Sequence, residues 1–283
     1  MRVIAEYVMR GRREALFVSV FGAALPLLYW LSTAAVSLVV LRKGSYEGSI
    51  VLLWACLPTL VWLLVARDPT PIITMIGTVA LAYILRETVS WIYTLAVSVL
   101  LGIVAGYLFE VALPEVVAML VNITIEYMKQ SGGQPILQMD EPKLWSQLVG
   151  LYGASQGGFM LLCLMLARWW QSALYNPGGF RQEIHQLRLP PGMVLALIAL
   201  MVLCANIANP YLAGWIPVFT IPLVVAGISL THWGAARSNL GKNWLLIFYL
   251  SLLFFRFMYA VLLLLALIDS WIDVRRRVSG PSV

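Results

Sequence analysis

Few side chains in this sequence could do chemistry. His185 and His232 are the only histidines, and neither has a second histidine, a cysteine or a carboxylate three or four residues away that would make a helical metal pair. His185 falls on the polar face of a short amphipathic stretch and His232 at the end of an apolar one, so both read as interfacial residues. Asp269 and Asp273 lie four apart, on one face of a helix. They read either as a catalytic or cation-binding pair or as caps of a membrane helix that pair with Arg275 and the arginines after it. Arg256 stands near the centre of the apolar run 243–277. An arginine at mid-bilayer costs about 2.5–3.5 kcal/mol on insertion scales, so it should face a partner or water. Gln156, Asn206, Asn209 and carbonyls freed near Pro217 or Pro222 are the candidate partners, and no carboxylate is evident within the bilayer.

No phosphate loop, HExxH, GxSxG or dinucleotide fingerprint is present. Cys56, Cys163 and Cys204 lie in apolar segments at no metal-ligand or redox spacing, so they read as small packing residues. No metal, cofactor or disulfide is expected.

The elements that position these residues are membrane helices. Of 283 residues, 61% are hydrophobic and 11% charged, against about 25% charged in soluble domains. The net charge of +6 sits at the ends of apolar runs, which points to topology and a lipid bilayer rather than nucleic acid. The pattern predicts a single all-α integral membrane domain over 1–283, a polytopic bundle of about eight apolar segments with six to eight full spans. The segments are 16–41, 49–66, 71–85, 88–112, 146–172, 192–209, 212–233 and 244–271. The first is too long for a signal sequence and reads as a retained transmembrane helix that tolerates Pro26. The third and fourth are separated only by Arg86 and Glu87.

Two linkers stand out. In 113–145, residues 114–129 read as a helix in the membrane interface and 131–143 as a flexible polar connection. In 173–191, Phe180, Ile184 and Leu187 alternate with Arg181, Glu183 and Arg188 at helical spacing, and Pro190-Pro191 ends the pattern. Ser98, Gly102 and Gly106 on one segment, and Gly150, Gly153, Gly157 and Gly158 on another, are small-residue faces. They suit close helix packing, or a ligand space with Gln156 supplying a hydrogen bond. Arg2, Arg10, Arg12 and Arg13 favour a cytoplasmic N-terminus, and eight spans put the C-terminus beside it. That count, however, exports the basic linkers at 181–188 and 237–242 and keeps the acidic linker 113–145 inside.

Residues 267–276, Leu-Ile-Asp-Ser-Trp-Ile-Asp-Val-Arg-Arg, together with 180–190, ending Leu-Arg-Leu-Pro, resemble the YybS-like family of bacterial inner-membrane proteins, a domain of unknown function. The resemblance implies a bundle distantly similar to the substrate-binding S components of energy-coupling-factor transporters, which dock on a coupling subunit and ATPases. Those proteins carry an Ala-x-x-x-Ala docking face on their first helix. Here Ala15, Ser19 and Ala23 form a small-residue ladder in its place.

The expected function is therefore that of a non-enzymatic inner-membrane protein that binds a small solute, or serves as a transporter's membrane component, at Arg256, Gln156 and Asn206. A membrane scaffold that recruits cell-envelope partners is the alternative. A lipid-modifying enzyme has only Asp269 and Asp273 in its favour.

Overall fold

The computed structural model describes residues 1–130, 141–207 and 209–279. The described chain is all-α, in fifteen helices: α1 Arg2–Arg10, α2 Arg12–Ala24, α3 Tyr29–Lys43, α4 Ser45–Val65, α5 Thr70–Thr88, α6 Trp91–Ala112, α7 Pro114–Gln130, α8 Glu141–Tyr175, α9 Gly179–Gln186, α10 Pro191–Asn206, α11 Pro210–Ala213, α12 Ile216–Arg237, α13 Lys242–Phe254, α14 Phe257–Ile272 and α15 Val274–Ser279. Five stretches, Ser45–Val65, Thr70–Thr88, Trp91–Ala112, Glu141–Tyr175 and Tyr211–Arg237, are long and apolar enough to cross a bilayer. The polar connection expected at 131–143 falls largely outside the described residues.

The expected first span is not one helix. Proline cannot donate to the helix ladder and pushes the residue before it out of helical geometry. Leu25, before Pro26, is accordingly extended (φ −100°, ψ 124°), and the chain doubles back. Ser32 Oγ donates to the Ser19 carbonyl thirteen residues earlier, a separation of about 20 Å along a continuous helix. The returning arm, α3, is the centre of the bundle: residues 32–41 are all buried, wrapped by α2, α4, α5 and α8. Gly44, at φ 103°, then turns the chain into α4 in a conformation that suits glycine.

The expected last span also breaks. Between α13 and α14 the axis bends by 116° at Phe255 and Arg256, with Phe255 extended (φ −113°, ψ 104°). α14 then runs parallel to α12: Tyr259 shares a hydrogen bond with Thr220, and Leu262 lies against Gly227. Arg256 therefore does not sit inside a continuous membrane helix. It is exposed at the turn, one helical turn before the residue that meets the first turns of α12. A charge at such a break is less costly than one buried inside a continuous membrane helix.

The remaining boundary differences are smaller. The helix α5 runs through Arg86 and Glu87 to Thr88 and stops at Val89, which is left-handed (φ 50°).

Hydrogen bonds assign each helix end to one of two ends of the bundle. At the first end, Arg12 at the start of α2 pairs with Glu47 at the start of α4 (2.6 Å). There too, Arg86 of α5 donates to the Val40 and Leu41 carbonyls of α3, and Gln171 of α8 also reaches Leu41. Trp91 of α6 and Arg168 of α8 both donate to Glu183 of α9. At the other end, Trp145 of α8 donates to Glu110 of α6 (2.7 Å), and Gly214 touches the Ser146 carbonyl. Helices α4, α5, α6, α8, α10 and α12 thus traverse the bundle in alternation, α10 being short at 16 residues, and the two hairpins α2–α3 and α13–α14 each return to the end they left. The helices α1 and α15 both lie at the first end. Of the 19 Lys and Arg, only Arg67, Lys129, Lys143 and Arg256 belong to the other end, leaving fifteen at the first.

Candidate functional site

The three residues expected to line a binding site, Gln156, Asn206 and Arg256, have separate surroundings. Gln156 is buried between α5 and α8 and accepts from Thr74 Oγ1 at 2.8 Å. That bond belongs to a parallel register in which Thr70 meets Tyr152, Thr74 meets Gln156 and Thr78 meets the Met160 carbonyl, always 82 residues apart. Asn206 is exposed and donates to its own helix at the Val202 carbonyl. Arg256 stands at an exposed turn, and none of the three lines the cleft or the recess described below.

Nor do Gly102, Gly106, Gly153 and Gly157 leave ligand space. A Cβ on Gly102 would stand 2.9 Å from the Gly153 carbonyl oxygen, and one on Gly153 2.5 Å from that of Gly102. Gly106 abuts Trp215 and the Val149 carbonyl, and Gly157 abuts the Ser98 carbonyl. These glycines let α6 and α8 meet backbone to backbone.

Space opens elsewhere, on the other side of α8. Leu161, Leu162, Met165, Leu166 and Trp169 follow Gly158 at helical spacing and face Val225, Ile228, Ser229 and His232 of α12 at the same period. With Phe180, Arg181, Ile184 and His185 of α9 and Tyr249 of α13, they enclose a cleft of about 490 Å³. Gly158 widens it, because a Cβ there would meet nothing within 4 Å. The far wall is thin: among the described side chains of α13 only Phe248 is buried, and His232 Nε2 shares a 2.7 Å hydrogen bond with Tyr249 Oη.

The cleft is apolar along α8 and polar where it meets the basic end, at Arg181, His185, His232 and Tyr249. His185 also lines a second, open recess of about 600 Å³, with Gln182, Gln186, Arg188, Trp233, Asp273, Arg275 and Arg276. A clasp shapes this recess. Arg188 pairs with Asp273 (2.8 Å) and donates to the Asp269 and Ser270 carbonyls at the end of α14. Cations there complement the helix's exposed carbonyls. Arg275 lies 3.6 Å from Asp269 and donates to Ser229 Oγ (3.0 Å), which itself bonds the Ile184 and Leu187 carbonyls. Asp269 Oδ1 and Asp273 Oδ1 accept from the backbone N–H groups of Val274 and Arg276. The two aspartates are thus occupied as a cap and as partners of arginines, and no described group of three metal-ligating side chains accompanies them.

Electrostatics follow from this crowding. Burial pushes the His185 pKa below its ordinary value, and the positive Arg181, then His232 and Arg275, push it further the same way. Burial also lowers that of Arg275, with Asp269 and Asp273 opposing and Arg188 reinforcing the shift. Ser229, the one hydroxyl in the cleft wall besides Tyr249, is engaged by the Ile184 and Leu187 carbonyls and by Arg275.

Sequence spacing could not reveal this site. Phe180, Ile184 and Leu187 were visible as an apolar stripe, but His185 and His232 are far apart in the chain and share no motif.

The fold and cleft define an all-α, polytopic, membrane-embedded protein with a cleft that is apolar along most of its length and polar at one end. No protein family, curated protein or solved structure matches this chain.

Proposed function

We propose that this protein binds an amphiphilic small molecule from the membrane, holding its apolar part in the cleft between α8, α9, α12 and α13. The observation that carries this reading is the cleft itself: its volume falls in the range of small-molecule sites, about 300–1,000 Å³. Its lining is a run of leucine, methionine and tryptophan with polar groups gathered at one end. The basic end then faces the cytoplasm, because fifteen of 19 cations gather there. With both hairpins returning, the linkers at 173–191 and 237–242 join α1 and α15 on that side, and α7, with Glu115 and Glu126, lies opposite. This removes the conflict that eight full spans create.

The likeness to YybS-like proteins and S components agrees with a bacterial inner-membrane solute binder. Docking on a coupling subunit through the first helix does not fit as well. Ala15, Ser19 and Ala23 are buried inside the bundle, so such a subunit and its ATPases would need another face.

The reading is tested with a diazirine-bearing palmitate analogue added to membranes containing the full chain. Photolabelling is expected on α8 and α12 peptides and should fall at least fivefold in Gly158→Phe, whose ring fills the cleft where a Cβ meets nothing. Equal labelling of the variant, or labelling spread evenly over lipid-facing helices such as α4, would refute it.

A further inference from the structure

We propose that the recess at the basic end is a headgroup site for a phosphate-bearing amphiphile, joined to the cleft through His185. The inference rests on the cleft holding the apolar part of the same molecule, and it adds the chemical class of the head. Three observations lead to it.

The first is continuity. His185 lines both spaces, Arg181 borders the cleft mouth, and Arg276 borders the recess. A molecule with its chain along Leu162 and Met165 would carry its head past His185 into the recess.

The second is the balance of charge. Arg188 is neutralised by Asp273 and Arg275 faces Asp269. Among the described residues Arg181 and Arg276 have no ionic partner, so two guanidinium groups stand uncompensated on either side of an imidazole. A cationic head would meet these charges, and both nearby carboxylates are already engaged. A neutral head would leave the guanidinium groups unused. A phosphate offers several acceptor oxygens, and guanidinium binds it through paired N–H donors. Gln182 and Gln186 supply further amide donors at the rim.

The third is rigidity. The wall of the recess is fixed by the clasp: Arg188 holds the last carbonyls of α14, and Asp273 takes a left-handed conformation (φ 53°) that turns the chain into α15. Arg276 is therefore presented from a tied turn rather than from a free tail, which reduces the ordering cost of binding.

The test uses the full chain in neutral detergent micelles and three probes: dioctanoyl phosphatidic acid, dioctanoylglycerol and inorganic phosphate, with affinities taken from calorimetric titration. Phosphatidic acid is expected to bind about tenfold or more tightly than the diacylglycerol, as charge-assisted contacts of this kind warrant, and inorganic phosphate far more weakly than either lipid. In the R181Q/R276Q double variant the two lipids should bind within about threefold of each other. Arg13→Gln, which removes an exposed cation from the same end but away from the recess, should keep the full preference. Equal binding of the two lipids by the unaltered chain, with both lost in G158F, would leave the cleft standing and overturn the headgroup site. A preference that disappears equally in R13Q would assign it to the general charge of the surface and overturn the site as well. Inorganic phosphate binding as tightly as phosphatidic acid would show a free-anion site unconnected to the cleft. Failure of both lipids to bind would remove both readings together.

Discussion

The helix α8 carries glycines on two faces, and they do opposite things. Gly150, Gly153 and Gly157 are spent on closeness: a Cβ on any of them would run into backbone of α6 or of the turn before α12. Gly158 follows Gly157 directly, about 100° further around the helix, and faces open space. The same missing side chain that makes a seam on one face makes a void on the other. A small-residue pattern in a membrane helix therefore does not by itself distinguish packing from a binding space. What distinguishes them is whether a neighbouring backbone has moved in.

That contrast can be broken most violently at Gly150. A Cβ there would lie 1.7 Å from the Gly214 carbonyl oxygen and 2.4 Å from its carbon, and backbone cannot swing aside as a side chain can. Gly150→Ala should therefore separate α8 from the turn at Gly214, at a cost of about 3 kcal/mol. A large drop in the melting temperature of the full chain in micelles is the readout. An unchanged melting temperature would mean that this seam is not as tight as the geometry has it.

A milder test falls on Gln156, between the two faces. Gln156→Leu removes the acceptor of Thr74 Oγ1, but that hydroxyl keeps its bond to the Thr70 carbonyl. A loss of only about 0.6 kcal/mol is expected, the average for polar contacts between membrane helices. Photolabelling of the cleft should be untouched. Loss of ligand in Q156L would restore Gln156 as a binding residue and weaken the case for the opposite face.

How much of this was legible in the sequence depended on whether the signal was local. The amphipathic patterns at 114–129 and 180–187 predicted α7 and α9, and the glycine spacing predicted a close helix face, because each is a periodicity within one element. Pro26 was visible too, yet its consequence was not. A proline in a bilayer helix is compatible with a kink, and only the burial of Ser32–Leu41 residues against four neighbours makes reversal the better solution. At Phe255 and Arg256 there was no proline or glycine at all. There the arginine was the mark of the break: an apolar run with a central charge avoids the cost of burial by turning at the charge, so Arg256 signalled an end of the bundle rather than a cavity inside it. These two hairpins, each counted as a span, were also the source of the conflict over which linkers face the cytoplasm. The clasp was half legible, since Asp269, Asp273 and Arg275 are close in sequence, but Arg188 reaches them across 85 residues. The cleft was not legible, because its walls come from four helices and its polar groups share no spacing.

The smallest effect has the opposite sign. Glycine in a helix interior costs backbone entropy that alanine does not, and where the native space admits a methyl group, Gly→Ala stabilises by about 0.4–1 kcal/mol. Gly158→Ala meets this condition, since its new Cβ would find nothing within 4 Å, so the variant should melt slightly higher than the unaltered chain. A single methyl takes little of a cleft of about 490 Å³, so labelling by the palmitate analogue should persist in G158A and vanish only with the phenylalanine. A protein that needs Gly158 for close packing would lose stability with both substitutions, whereas one that keeps it for space would gain with the first and lose its ligand with the second. The pair of variants therefore separates the two uses of glycine on this helix by sign rather than by size.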